Sequence, residues 1–364
     1  MTLSRRTFVG VLAGAGACLG AEHNVVFPSE AKRFVDEATE NVLMRLSDPA
    51  HNCWLPGLGS RAISRKGDFL ICASDRAGSV AAYRLDLKNG TWREIAAASA
   101  LIPESLTLTA DEREFAYLAD GALQMGKLGG GRSREVYRVA DGFMFGPSLG
   151  LSEDGLFAAL VEQKTGQNRV RLITLRTGEA VTPAESSDVL ADPQPRPKRA
   201  GLLYRKGDEL WLASYDRTEN RRLRIAAGAV GNALWSADGR AVQYLNIPAD
   251  PKQLRNIREF TPDANADQWV ANTTQFASFD RNADGSVFIG ASASKASPYL
   301  LLLLRAVRRE LTLCKHGASD ARQVRAFFSP NSQRVVFQSD RDGKMSLYSM
   351  AVDRLVADTD ADKP

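Results

Sequence analysis

Short apolar runs alternate with Gly-, Asp- and Asn-rich turns along most of the chain, and the alternation repeats. Residues 63–78 and 328–343 are the clearest pair. Each has an apolar strand end, a polar turn, a second apolar strand and then Ser-Asp-Arg-x-Gly, and each continues into a third strand, AAYRLDL from Ala81 and MSLYSMAV from Met345. Weaker copies start at Leu108, Leu151, Arg196, Leu234 and Phe279. Their first turns fall near residues 64, 109, 152, 195, 236, 281 and 329, a spacing of about 41 to 48 residues, which is the period of a four-stranded propeller blade. Runs of Val, Ile, Leu, Phe and Tyr broken by turn residues read as an antiparallel meander. One meander cannot bury both faces alone, whereas a ring of them buries each against its neighbours and leaves only short edges. The pattern therefore predicts an all-β, seven-bladed β-propeller of four-stranded antiparallel blades.

A ring must close. Residues 41–46, NVLMRL, form a short apolar run ahead of the first repeat and are expected to supply the outer strand of the last blade. Four segments follow: a leader at 1–21, an N-terminal arm at 22–40 read as a short helix or arm outside the ring, the propeller at 41–355, and an acidic tail at 356–364. The leader carries Ser4-Arg5-Arg6-Thr7-Phe8, a twin-arginine pattern, then a moderately apolar stretch and the small residues Ala15-Gly16-Ala17. It predicts export to the periplasm or beyond. Lipid attachment at Cys18 is not favoured, because the usual preceding leucine is absent. No later run is long enough to span a bilayer.

Composition changes the picture little. Of 364 residues 44% are hydrophobic and 25% charged, with a net charge of +4. Loss of Arg5 and Arg6 with the leader brings this to about +2, so any basic site is a local cluster and nothing points to nucleic acid. The mature chain is expected to be a monomer. The cysteines at 18, 53, 72 and 314 show no CxxC spacing, which leaves zinc-ribbon and thioredoxin-type readings unsupported. Cys72 reads as a core residue, and Cys53 with Cys314 is not an expected disulfide.

Candidate chemistry is sparse. The loops leading into each blade gather at one face of a propeller, and a ring of such loops is the default site. Residues 50–60, 141–148, 191–199, 271–275 and 314–325 are assigned to them. Of the three histidines, His51 lies in the loop leading into blade 1 and His316 in that leading into blade 7, adjacent sectors of a closed ring. With Gln323 and Arg325 they define the expected site. His51 is the candidate base, since imidazole titrates near neutral pH, and Arg325 the candidate partner of an anion. His316, Gln323, Arg196 and Arg199 are candidate substrate contacts. The Ser-Asp-Arg elements at Asp75-Arg76 and Asp340-Arg341 read as turns, with Asp accepting backbone N–H groups and Arg pairing locally.

The strand–SPDG–strand–SDRxG–strand repeat resembles TolB-type propellers. The stretch from Leu43-Met-Arg-Leu-Ser-Asp-Pro to Tyr83-Arg-Leu-Asp-Leu-Lys-Asn-Gly is similar to the first blade of oligogalacturonate lyases, and the likeness extends more weakly to about residue 355. The resemblance implies β-elimination on oligogalacturonides, with a histidine base and a divalent metal, usually manganese, held by three histidines and a glutamine. Asn232 and Ala233 stand where the family has a histidine in blade 5. In blade 7 Gln323 fits, and the two histidines that should follow are gone. No metal or other cofactor is therefore expected. Three readings stay open: a lyase using Arg or Lys in place of the missing groups, a binder of acidic oligosaccharides that has lost catalysis, and a propeller scaffold for a periplasmic protein partner.

Overall fold

The structure, a computed structural model, describes residues 25–357; the leader, Cys18 and His23 lie outside the described residues. Seven antiparallel sheets follow one another in chain order. Their inner strands are Cys53–Trp54, Thr107–Leu108, Met144–Leu151, Leu190–Pro195, Ala229–Trp235, Phe276–Arg281 and Ala326–Phe328, opening blades 1 to 7. Helix among the described residues is confined to two single 3-10 turns and a short α-helix at Asp353–Ala357. The seven-bladed, all-β reading holds.

The core is distributed around the ring. Seven apolar clusters each lie between two adjacent blades. An open row of seven sheets would have six such joints; the seventh, in which Leu70, Tyr83 and Trp92 of blade 1 meet Phe327, Val336 and Leu347 of blade 7, closes the circle. Strand pairing closes it as well, as the sequence predicts. Val42–Arg45 is the fourth strand of blade 7, pairing Met44 with Ser349 and Arg45 with Tyr348. The chain then crosses to blade 1, with Leu46 N–H donating to Leu347 O at 2.7 Å and Cys53 N–H to Met345 O at 2.7 Å.

The arm departs from expectation. It is not helical: Lys32–Val35 turns back on Val42–Arg45 as a fifth strand of blade 7, and Val26–Phe27 pairs with Trp92–Ala97 as a fifth strand of blade 1. Both Ser-Asp-Arg arginines serve it. The Arg76 guanidinium lies 3.4 Å from the Trp92 ring centroid and 5.6 Å from that of Phe27, and donates to Glu30 at 3.0 Å. Arg341 lies 5.4 Å from the Phe34 ring, with Asp36 at 3.9 Å. The aspartates hold loops, as read: Asp75 accepts from Asn52 N–H at 2.8 Å and Asp340 from Ser319 N–H at 2.9 Å.

The turn after the inner strand has a recurring lock in six of the seven blades. The hydroxyls of Ser64, Thr109, Ser152, Ser236 and Ser329 each accept the N–H five residues on, and Asn282 does so through its amide oxygen. These turns form the lower face of the ring. The loops leading into the inner strands form the upper face. The cysteines at 53, 72 and 314 are buried and unpaired.

Candidate functional site

The upper mouth is bridged by Arg325. Its guanidinium donates to Leu55 O at 2.8 Å and to Glu104 Oε1 at 2.8 Å, so blade 7 reaches across blade 1 to the approach of blade 2. Gln338 braces it from behind, donating to Gln323 O at 2.7 Å, accepting from Leu55 N–H at 2.7 Å and donating its backbone N–H to Arg325 O at 3.0 Å. Gln323 and Arg325 thus share one hydrogen-bonded cluster, although it holds Gln323 by its backbone while its side chain is exposed. Both ends of the Arg325–Glu104 pair remain partly open to solvent.

The other expected contacts do not converge there. His51 is half-buried in the loop crossing from blade 7 to blade 1, with Nδ1 4.0 Å from Asp75. His316 is only 3% exposed. Its Nε2 lies 3.0 Å from Ser292 O and its Nδ1 accepts Ala318 N–H at 3.1 Å, which fixes a neutral Nε2–H ring. Burial pushes its pKa below the usual imidazole value. Both nitrogens are spent, so His316 is a joint between blade 6 and its exit loop and not a ligand contact. Among the described residues no hydrogen bond or ion pair joins either histidine to Arg325 or Gln323.

Arg196 and Arg199 lie on the opposite face from the one assigned. The inner strand of blade 4 runs to Pro195, so both belong to the lower turn that follows it. Arg196 holds the place that Ser64, Ser152 and Ser236 hold in their blades. It is 7% exposed, donates to Gly239 O at 2.8 Å, reaches Asp263 at 3.1 Å and covers the Trp235 ring at 5.1 Å. Arg199 meets the same Asp263 at 2.7 Å. Together they tie blade 4 to blade 5.

A metal set of three histidines and a glutamine does not fit the residues at the upper mouth. Asn232 spends both ends of its amide on the Phe279 backbone, donating at 2.9 Å and accepting at 3.0 Å, and so links blade 5 to blade 6. Arg325 is a cation. Among the described residues no three of His, Cys, Asp and Glu converge. Positions available for ligands are used instead for blade-to-blade bonds.

Sequence reasoning missed the lower end of the channel. A cavity of about 440 Å³ opens there, lined by the last residues of the inner strands and their turns, with all seven blades contributing. Arg61, Gln194, Asp280 and Arg281 supply its polar groups. The signal was present in the Asp280-Arg281 pair at the end of an apolar strand, which the repeat pattern alone does not single out.

No protein-family model matches the sequence. An alignment 220 residues long that covers 50% of this chain is 24% identical to an oligogalacturonide lyase of Pectobacterium atrosepticum; it spans 54% of that protein, about half of its length. An oligogalacturonate lyase solved in complex with manganese superposes with a TM-score of 0.84, at 19% identity, over 91% of this chain and 98% of the other. The oligogalacturonate lyase of Vibrio parahaemolyticus gives 0.82 at 20% identity, over 90% and 98%. In fold over almost all of its described length, and in sequence over half of it, this chain is oligogalacturonate lyase-like.

Proposed function

We propose that this chain is an exported relative of the oligogalacturonate lyases that binds short acidic pectic oligosaccharides at the upper mouth, without the metal set that the family resemblance implies. The observation that carries the reading is Arg325. It presents a guanidinium beside Gln323 at the mouth of a lyase-like ring, held in place by Leu55 O, with one exchangeable carboxylate partner, Glu104. A guanidinium engages both oxygens of a carboxylate at once, so a uronide can replace Glu104 there. The exposed side chain of Gln323 stands two residues from Arg325 in the same loop, and His51 lies half-buried in the neighbouring loop of blade 1. With His316 buried, His51 is the one described histidine open to solvent, and it is the base on which any residual elimination would depend.

Titration calorimetry with trigalacturonate tests the reading. Arg325→Ala should weaken binding about tenfold or more, the scale of a charge-assisted pair. Glu104→Gln should tighten it severalfold, because the competing carboxylate is removed. An Arg325→Ala variant that binds as the parent does would refute the proposal and favour a scaffold for a protein partner. Following the ultraviolet absorbance of unsaturated products during the same titration separates binding from turnover.

A further inference from the structure

We propose that the lower end of the channel is a separate binding site for a small hydroxylated carboxylate, one or two sugar units in size, held by Arg61 and Arg281. It does not rest on the reading of the upper mouth. The cavity volume of about 440 Å³ lies within the range of small-ligand pockets. Arg61 of blade 1 donates to Leu108 O at 2.9 Å and Ser152 O at 3.3 Å. Arg281 of blade 6 donates to Trp235 O at 2.8 Å and Asn282 O at 3.2 Å. Both guanidiniums are thus oriented by neutral carbonyls of neighbouring strands and turns. Neither has a carboxylate within ion-pair distance among the described residues, unlike Arg325, Arg196 or Arg76. Burial works against the charge of each.

Two unpaired cations in one partly enclosed cavity are costly unless an anion joins them. Glu153 lines the cavity and acts on Arg61 from beyond ion-pair distance, and the carboxyl beside Arg281 supports the same sign. Asp280 accepts Phe328 N–H at 3.0 Å, and burial pushes its pKa up to about 6, so it resists becoming the missing anion. Protonated, it can donate to a ligand oxygen. Gln194 donates to Ala233 O at 2.7 Å, which aims its amide from blade 4 and leaves its side-chain oxygen to accept a hydroxyl. Trp235, Leu234 and Phe327 supply apolar surface for a ring face. The charged groups around Asp280 are Arg281 beside it, Arg61 and Glu153 across the cavity, and Asp238, Glu259 and Asp284, which act on Arg281. The last three have carboxyls held below their usual range.

Calorimetry with galacturonate, and with galactose as its neutral counterpart, tests the site in the mature chain at pH 5.5 and 7.5. Galacturonate should bind about tenfold more tightly than galactose and more tightly at the lower pH, where Asp280 is neutral. Arg61→Gln and Arg281→Gln should each weaken it about tenfold, the scale of one charge-assisted bond. Arg325→Ala should leave in place the pH-dependent component of galacturonate binding that Arg61→Gln and Arg281→Gln weaken. Because both arginines also bridge strands, Asp280→Asn serves as the shape-preserving variant. It should keep binding and lose the pH dependence. Equal affinity for galactose, loss of binding in Arg325→Ala with retention in Arg281→Gln, or an unaltered pH dependence in Asp280→Asn would each overturn the assignment.

Discussion

Asp280 and His316 carry opposite pH signatures. An aspartate free in an unfolded chain titrates near 3.8, and in the fold Asp280 titrates at about 6. The native state therefore holds this proton more tightly, and its contribution is complete at low pH and lost as pH rises from about 4 through about 6. Asp280→Asn, which keeps an acceptor for Phe328 N–H, should raise stability by about 1–2 kcal/mol at pH 7.5 and change little at pH 4. Thermal melts at the two values check this. For His316 the folded pKa lies below the usual value, so its burial costs stability as pH falls below about 6.5. His316→Gln should flatten that acid limb, while losing about 1 kcal/mol at pH 8 from imperfect replacement of its two hydrogen bonds. Both residues were visible in the sequence, and His316 was even placed in the correct loop. Its unsuitability was not visible, because Ser292, the acceptor that fixes its tautomer, comes from the end of the second strand of blade 6.

At the scale of elements, the arm shows where local pattern fails. Lys-Arg-Phe-Val-Asp-Glu-Ala-Thr-Glu has the charge and spacing of a solvated helix. What makes it a hairpin is the turn at residues 36–41, where Asp36 accepts from the N–H groups of Ala38 and Thr39 and Glu40 adopts a positive φ of 59°. Blade 7 also offers an edge to cover. Deleting residues 41–46 should destabilise the whole ring by about 3 kcal/mol or more, seen as a single cooperative melt at lower temperature, since the last blade loses its fourth strand and the support of its fifth. Glu30→Gln should cost far less, about 1 kcal/mol, because Arg76 keeps its stack on Trp92. The closing strand was legible because it is an apolar run of the right length. The lower turn of blade 4 was misassigned to the upper face because Arg196 replaces the serine that marks that turn in four other blades.

For the molecule as a whole, the fold was readable and the site was not, for one reason. A blade is encoded by about forty consecutive residues, so its signature survives in any window of the sequence. A channel is encoded by single residues taken from seven blades, and their convergence appears only once the ring exists. Arg61, Gln194 and Asp280 are far apart in sequence and share one cavity. Export, proposed from the twin-arginine pattern, belongs to the same scale. Replacing Arg5 and Arg6 by Lys should leave the protein in the cytoplasm, measured by fractionation; normal export of that variant would point to a different route. The seam between blades 7 and 1 also fixes an order in time. The strand Val42–Arg45 precedes its partner Ser346–Ala351 by six whole blades. During synthesis the earlier segment must wait, unpaired, until the third strand of blade 7 has left the ribosome. Every unfinished chain is therefore an open arc with an adhesive edge at each end, and the finished ring is the first species that has none.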